Sequence, residues 1–285
     1  MSTPYHHFVS TLASHLTDGL GWQKGGFPTP QHPELPDDAP KVMIFSPHPD
    51  DECIIGGIAL RLLRECQYRV VNVAVTLGSA KARQQPRLAE LRNACEYIGF
   101  DLVQTCEAGL EGLNMKTREN DPERWQGHVD CLAGILGTHR PEVVMVMHET
   151  DANTSHIGSH FALIEALQRQ DDDYTCSVIE TEYWSQMSSP NIMVESSAQD
   201  LSDLVAALTF HVGEVERNPY HLTMPSWMID NVRRAEIVGG QGSAAPSFDF
   251  ATLYRLRQWR DGRLNDMFDG GRFLAKDDDP ASLFA

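Results

Sequence analysis

The stretch that decides the fold is VMIFSP, residues 42–47, a short apolar run followed at once by HPDDE, residues 48–52. Further apolar runs recur along the chain, with room for a helix between one and the next. The apolar runs are 70–77 (VVNVAVTL), 102–106 and 143–148 (VVMVMH), and helices are expected at 54–66, 84–98 and 124–138. Near-continuous apolar strands that alternate with helices predict an α/β fold whose mostly parallel sheet carries helices on both faces.

The connectivity predicts where such a sheet would bind a ligand. Right-handed crossovers place the second and third strands to one side of the first. In a doubly wound, Rossmann-like sheet of order 3-2-1-4, the fourth strand then lies on the other side of the first, and ligands bind beyond the carboxyl ends of the strands where the order reverses. The segments that follow Pro47 and His148 are therefore expected to form the functional site.

Three regions are predicted along the chain. Residues 1–40 combine an amphipathic helix at 5–20 with a connector that holds two Gly and five Pro within 25–40. Residues 41–245 are expected to form a single α/β catalytic domain, and 246–285 a C-terminal extension.

The second half of the chain has a weaker pattern. Residues 175–184 are expected to form another strand, and 201–217 a helix with an apolar face. Residues 218–285 are rich in Pro, Gly and aromatic residues, which predicts loops with short helices. The terminal AKDDDPASLFA is expected to be mobile.

Composition excludes several classes of partner. The 285-residue chain has 40 Asp and Glu against 23 Lys and Arg, a formal net charge of −17. A surface of this charge repels phosphate backbones and anionic lipids, so neither a nucleic acid nor a membrane is expected as a partner. The start of the chain lacks a basic segment followed by an apolar run, which argues against a signal peptide. The six cysteines form no C-x-x-C pair and predict free thiols in a reducing compartment, hence a cytoplasmic protein.

The turn after the first apolar run favours a metal ion over a nucleotide. SPHPDDE, residues 46–52, contains two prolines, a histidine and three acids, whereas a dinucleotide site needs a glycine-rich turn at this point. The imidazole of His48 and the carboxylates of Asp50, Asp51 and Glu52 are suitable ligands for a divalent cation. The alternative is that the acids merely stabilise a helix N-terminus.

A second polar segment follows the run 143–148. HETDANTSHIGSH, residues 148–160, holds three histidines and two acids. His156 and His160 would share one face if a helix extended that far back, although Gly158 weighs against it. The residues alone leave open which of His148, His156 and His160 completes a metal site.

These motifs resemble those of the LmbE-like, or PIG-L, deacetylases, whose signature H-P-D-D-E follows a first strand. The resemblance spans roughly residues 41–217 and implies a zinc enzyme that removes the acetyl group from N-acetylglucosamine-type substrates. The supporting matches are Gly56-Gly57, Thr76-Leu77-Gly78-Ser79, Arg87-x-x-Glu90 and the segment from Trp184 to Glu195 that contains Pro190-Asn191.

The resemblance also implies roles for individual residues. One Zn²⁺ per chain, or another divalent ion, would be held by His48, Asp51 and His160, with Asp50 as the general base. His156 would donate a proton or stabilise the oxyanion. The family's second motif usually ends H-x-D-H, whereas the two histidines here are four apart and have no acid between them.

Arg87 is expected to bind substrate, the alternative being an ion pair with Glu90 or another acid. The expected partner is a small N-acetyl sugar or sugar conjugate, and the resemblance leaves homo-oligomer formation open. Two other functions fit the same residues: a zinc amidase that acts on a different amide, and a metal- or sugar-binding protein of this fold that has lost turnover. Retention of Asp50 argues against lost turnover, because a pure binding protein does not need the base.

Overall fold

The computed structural model describes residues 3–284. In chain order, the strands are β1 Lys41–Ser46, β2 Arg69–Ala74, β3 Asp101–Gln104, β4 Val143–Met147, β5 Cys176–Thr181, β6 Ile192–Glu195, β7 Ala251–Arg260, β8 Arg263–Asp266 and β9 Arg272–Leu274. The helices are α1 Pro4–Gly19, α2 Asp51–Ile55, α3 Gly57–Cys66, α4 Lys81–Ile98, α5 Met115–Asn120, α6 Pro122–His139, α7 Thr154–Leu167, α8 Ala198–Leu208, α9 Val212–Arg217, α10 Tyr220–Val232 and α11 Ala235–Gly239, with a 3-10 helix at Pro280–Phe284.

One mixed sheet runs through the molecule in the order β3-β2-β1-β4-β5-β7-β6-β9, and β8 pairs with β7. The first five strands are parallel, and β1 lies between β2 and β4, with Val42 opposite Val70 on one side and Val143 on the other. The predicted order 3-2-1-4 and the predicted α/β class are therefore confirmed. The strand order reverses at β1 and β4, so the carboxyl ends of these two strands face a common crevice.

Each face of the sheet carries its own hydrophobic core. Ile44 packs into one core with residues of α2 and α3, while its neighbours Met43 and Phe45 pack into the other with residues of α6 and α7. Successive side chains of a strand point to opposite faces, so a strand covered on both sides must be apolar at nearly every position. This explains why β1 has no alternating pattern.

The helix after β1 begins earlier than predicted and is interrupted. The expected helix 54–66 is divided into α2 and α3 at Gly56. A Cβ at Gly56 would lie 2.2 Å from the backbone oxygen of Glu52, so only glycine fits this junction. Because α2 starts at Asp51, Asp51 and Glu52 of the HPDDE motif occupy its first turn, and Asp50 directly precedes the helix.

Helix α7 extends further back than Gly158 led us to expect, and it includes both His156 and His160. A Cβ at Gly158 would lie 2.6 Å from the backbone oxygen of Leu113. The glycine is therefore needed for the close approach of the 113–114 loop to the helix, and it does not end the helix.

The C-terminal segment differs from the expected loops and short helices. β7 lies between β5 and β6 and pairs antiparallel with both. Leu253, Tyr254 and Leu256 are fully buried in it. The segment after residue 245 therefore completes the same sheet that carries the metal-ligand motifs, instead of forming a separate extension.

The N-terminal helix forms at the expected place, but its apolar side chains are not covered. Tyr5, Phe8, Val9 and Leu12 of α1 are all exposed. Within residues 3–284, no helix combines the length and the apolar character needed to cross a bilayer.

Candidate metal and catalytic site

The turn after β1 and the first turn of α7 meet at the crevice. The Nδ1 atom of His48 lies 3.0 Å from Nε2 of His156. The Oδ2 atom of Asp51 lies 3.7 Å from the same nitrogen of His48 and 3.5 Å from Nε2 of His156. Three ligand atoms from two distant parts of the sequence therefore surround one point.

This triangle fits a small tetrahedral cation. Ligand atoms about 2.0–2.1 Å from a tetrahedral zinc ion lie about 3.3 Å from one another, which is close to the three separations observed. Three protein ligands leave further coordination positions for water and substrate, as in catalytic zinc sites. The donor set of two imidazoles and one carboxylate suits zinc and related divalent ions.

Carboxylates and backbone groups orient the three side chains. Asp51 Oδ2 accepts the backbone N–H of His48 at 2.8 Å. Nδ1 of His156 lies 3.3 Å from Asp151 Oδ1, so its Nε2 faces the cluster. A carboxylate behind the second ring nitrogen is typical of ligand histidines. Burial alone would lower the pKa of His156, but the carboxylates of Asp51 and Asp151 raise it.

The structure does not bring His160 to this cluster. Its Nδ1 atom lies 3.1 Å from the backbone oxygen of Met147 and 3.7 Å from Oε1 of Glu180. Burial lowers the pKa of its imidazole. His156, which was expected to donate a proton, occupies the place expected for His160, because it lies one turn nearer the N-terminus of α7 and so nearer the β1 turn.

His148 also lies outside the triangle. Its ring is fully buried, and Nε2 donates to the backbone oxygen of Ser185 at 3.1 Å, while Nδ1 lies 3.0 Å from Thr150 Oγ1. His148 therefore connects the end of β4 to the loop that follows β5.

Asp50 adopts a backbone conformation that is unusual for a residue other than glycine, with φ at 125°. Its backbone N–H donates to Glu52 Oε2 at 3.0 Å, and its Oδ2 accepts the hydroxyl of Tyr220 at 2.6 Å. Burial and the neighbouring carboxylate of Asp51 raise the pKa of Asp50 to about 7. Burial and the Asp50 carboxylate raise the pKa of Tyr220, so its hydroxyl keeps its proton and donates.

A buried, hydrogen-bonded pair of side chains supports the turn that carries Asp50. Nε2 of His211 lies 2.7 Å from Oε1 of Glu52, and both side chains are fully buried. Burial opposes a charge on His211, but Glu52 raises its pKa above the usual value. Glu52 thus connects the Asp50 backbone to the segment between α8 and α9.

His48 and Asp51 of this triangle border a cavity of about 740 Å³ that also reaches Asp50 and Arg87. Arg87 donates to the backbone oxygen of Pro49 at 3.0 Å and lies 3.8 Å from Asp50 Oδ2. It lies 3.6 Å from Glu214, while Glu90 pairs with Arg83. Arg87 therefore lies in the cavity wall, and the alternative of an ion pair is also observed, although its acidic partners are Glu214 and Asp50 and not Glu90.

Several residues at the site could not be found from the sequence. Tyr220, His211, Glu214 and Trp184 all come from segments after β5, where the sequence pattern is weak. No local motif marks them, since their positions depend on how α8, α9 and α10 return to the crevice. Only Trp184 carried a signal, as the first residue of a segment that resembles the family.

Residues 43–167 match the family model described as PIG-L, GlcNAc-PI de-N-acetylase. The matched segment includes the HPDDE motif, β4 and all of α7. No relative was found among curated protein sequences.

Solved structures with the same fold include proteins of more than one activity. The N,N'-diacetylchitobiose deacetylase of Pyrococcus horikoshii is 14% identical, with a TM-score of 0.55 over 90% of this chain and 93% of that one. The zinc-inhibited form of teicoplanin deacetylase is 12% identical, with a TM-score of 0.54 over 77% and 98%. The 4-carboxy-2-hydroxymuconate hydratase GalB of Pseudomonas putida is 16% identical, with a TM-score of 0.56 over 76% and 95%. At these identities the similarity shows the fold and not the reaction.

Proposed function

We propose that this chain, whose residues 43–167 match the PIG-L family model, is a metal-dependent hydrolase that removes an acetyl group from an N-acetylglucosamine-type or related N-acyl substrate. The observation that carries the proposal is the triangle of His48, Asp51 and His156 beside Asp50, at the edge of an open cavity. A hydrolase needs this combination, because the ligands, the base and the substrate space must adjoin.

The metal site proposed here consists of His48, Asp51 and His156, one divalent ion per chain, zinc being the ion that the donor set suits best. His156 replaces His160 in this set. A bound ion would supply Lewis-acid chemistry, lowering the pKa of water towards about 7 and polarising the acyl carbonyl.

Asp50 is proposed as the general base. It accepts a proton from the attacking water and delivers it to the leaving nitrogen, so that the amide and water become an amine and acetate. The Tyr220 hydroxyl occupies Oδ2 of Asp50, which leaves Oδ1 for the water. The bond from Glu52 to the Asp50 backbone and the Glu52–His211 pair hold the carboxylate at this position.

The proposed substrate is a small N-acetyl sugar or sugar conjugate. The matched family model is described by its action on GlcNAc-PI, and one structure of the same fold is a deacetylase of N,N'-diacetylchitobiose. Arg87 in the cavity wall is proposed to contact the substrate. The cavity volume of about 740 Å³ is in the usual range for small-molecule sites.

A reducing compartment is proposed as the protein's location. All six cysteines are free, and three of them, Cys53, Cys95 and Cys176, are buried. This distribution is typical of cytoplasmic proteins, whose thiols stay reduced.

The proposal is tested by measuring acetate release from a panel of N-acetyl sugars, with the protein loaded with zinc, cobalt or manganese, or stripped by a chelator. We expect release by a metal-loaded form and none after stripping. Metal binding without acetate release from any member of the panel would favour a binding protein of this fold. Release that persists in the stripped protein would contradict the proposed role of the ion.

A further inference from the structure

Trp184 has the only large hydrophobic side chain of residues 3–284 that is both exposed and part of the cavity wall. It is 40% exposed, and the other exposed large hydrophobic residues lie elsewhere on the described surface. An exposed indole in the wall of a cavity offers a ligand a large apolar contact surface, and aromatic side chains are common in the lining of small-molecule sites.

The loop that carries Trp184, residues 182–191 between β5 and β6, is fixed by buried polar contacts on both sides. Glu182 is fully buried, accepts the backbone N–H of Met187 at 2.6 Å and pairs with the buried Arg234. His148 donates to the backbone oxygen of Ser185 at 3.1 Å. Burying polar groups is unfavourable unless they are hydrogen-bonded, and here their hydrogen bonds fix the conformation of this loop.

Aromatic contacts fix the orientation of the indole itself. The Trp184 ring meets Tyr183 edge-on, with 4.8 Å between centroids, and meets Tyr220 edge-on at 5.8 Å. Tyr220 in turn donates its hydroxyl to Asp50. A single aromatic ring therefore separates the indole from the proposed base, so a ligand lying on Trp184 would have its substituents close to Asp50.

The cavity wall also carries several polar side chains. Ser79, Arg83, Arg217 and Asn218 line it together with Trp184. An indole ring that shares a cavity with hydroxyl, amide and guanidinium groups suits a ligand that has one apolar face and hydroxyl groups around its edge. A pyranose ring has this form, because its C–H bonds point to its faces and its hydroxyl groups point outward.

We propose that Trp184 is a specificity-determining residue, a platform on which the pyranose ring of the substrate stacks while its N-acetyl group reaches Asp50 and the metal. The inference rests on the proposed deacetylation and deepens it. It predicts selection for an amide carried by a sugar ring over the same amide on a flexible chain. It also gives His148 a positioning role, through the loop that it holds.

The test compares Trp184→Ala and Trp184→Phe in the zinc-loaded protein. Binding of N-acetylglucosamine is measured by titration calorimetry, which requires no turnover, and acetate release is measured on N-acetylglucosamine and on N-acetylethanolamine, which has the same amide without a ring. Trp22→Ala is the matched control, because Trp22 is exposed like Trp184 but lies outside the cavity.

We expect Trp184→Ala to weaken binding of N-acetylglucosamine and to raise its KM by roughly 3- to 10-fold, a larger loss than on N-acetylethanolamine, which has no ring to stack. Trp184→Phe should retain most of the binding, and Trp22→Ala all of it. Far-UV circular dichroism checks that each variant is folded.

Equal affinity of wild type and Trp184→Ala would overturn the inference, as would the absence of N-acetylglucosamine binding by the zinc-loaded wild type. Acetate release that does not depend on Trp184 would support the proposed deacetylation and contradict the proposed role of Trp184. Binding that depends on Trp184 without any acetate release would instead contradict the deacetylation.

Discussion

His156 and His160 lie one helical turn apart on α7, and their side chains have different surroundings. His156 faces His48 and Asp51, whereas His160 faces Glu180 and the backbone of Met147. Histidines at i and i+4 of a helix can bind the same ion when both point to it. Here only His156 points to the triangle, because the ring of His160 is turned to Glu180 and the backbone of Met147.

We expect His156→Ala to abolish metal binding and His160→Ala to retain it. Metal content per chain, measured by elemental analysis after loading and desalting, checks both variants. Because His160 is buried, thermal unfolding of each variant is followed in parallel to show that it is folded. Metal retained in His156→Ala and lost in His160→Ala would return the ligand role to His160.

The sequence located one half of this site and left the other half open. His48, Asp50 and Asp51 could be assigned because they are contiguous and directly follow a strand. Which of His156 and His160 reaches the site depends on where α7 begins relative to the turn after β1. The start of α7 could not be predicted, because Gly158 suggested that the helix begins after it. The glycine is instead needed for the close approach of Leu113, a contact that no local pattern predicts.

At the scale of elements, the C-terminal tail is attached through α3. Arg61, which is fully buried, donates to the backbone oxygens of Ala275, Lys276 and Asp278 and pairs with Glu65 at 2.8 Å. The 3-10 helix that follows packs on α3, with Leu283 buried. Residues 275–284 of the tail that was expected to be mobile are therefore part of the fold, and Ala285 lies outside the described residues.

Arg61→Ala should lower the free energy of unfolding by about 3–5 kcal/mol, because it leaves several buried carbonyl groups and a carboxylate without their partner. Urea denaturation measures the change. Arg92→Ala, an exposed arginine on α4, is the matched control and should stay within about 0.5 kcal/mol of wild type. Similar small effects in both variants would show that Arg61 does not anchor the tail.

Strands β1 to β4 and helices α3, α4 and α6 could be predicted from the sequence because their apolar runs recur regularly, whereas α5 and β7 could not. The apolar residues of β7 alternate with Arg255 and Arg257, which gives the appearance of an exposed segment. Both arginines pair with Glu180, a buried carboxylate on the neighbouring β5. These ion pairs with a distant residue allow a strand that contains two arginines to lie inside the sheet. No local sequence pattern predicts them.

At the scale of the whole molecule, the sheet depends on its C-terminal strands. β7 separates β5 from β6 and pairs with both, so these strands would lose their partner without it. Unpaired strand edges expose backbone donors and acceptors and favour aggregation.

A chain that ends at residue 245 is therefore expected not to fold. Differential scanning calorimetry should show a cooperative transition for the full chain and none for residues 1–245. A cooperative transition in the truncated chain, at a temperature close to that of the full chain, would restore the boundary predicted from the sequence and make the remainder a true extension.

In the reaction proposed here, His48, Asp51 and His156 would hold the metal ion and Asp50 would act as the base of an amide hydrolysis. The most direct measurement is the acetate release and metal content of Asp50→Asn beside wild type, on whichever N-acetyl sugar the wild type hydrolyses. We predict that the variant keeps its metal, since Asp50 is not a ligand, and loses acetate release by roughly 10²- to 10⁴-fold. Acetate release close to that of wild type would contradict this proposal.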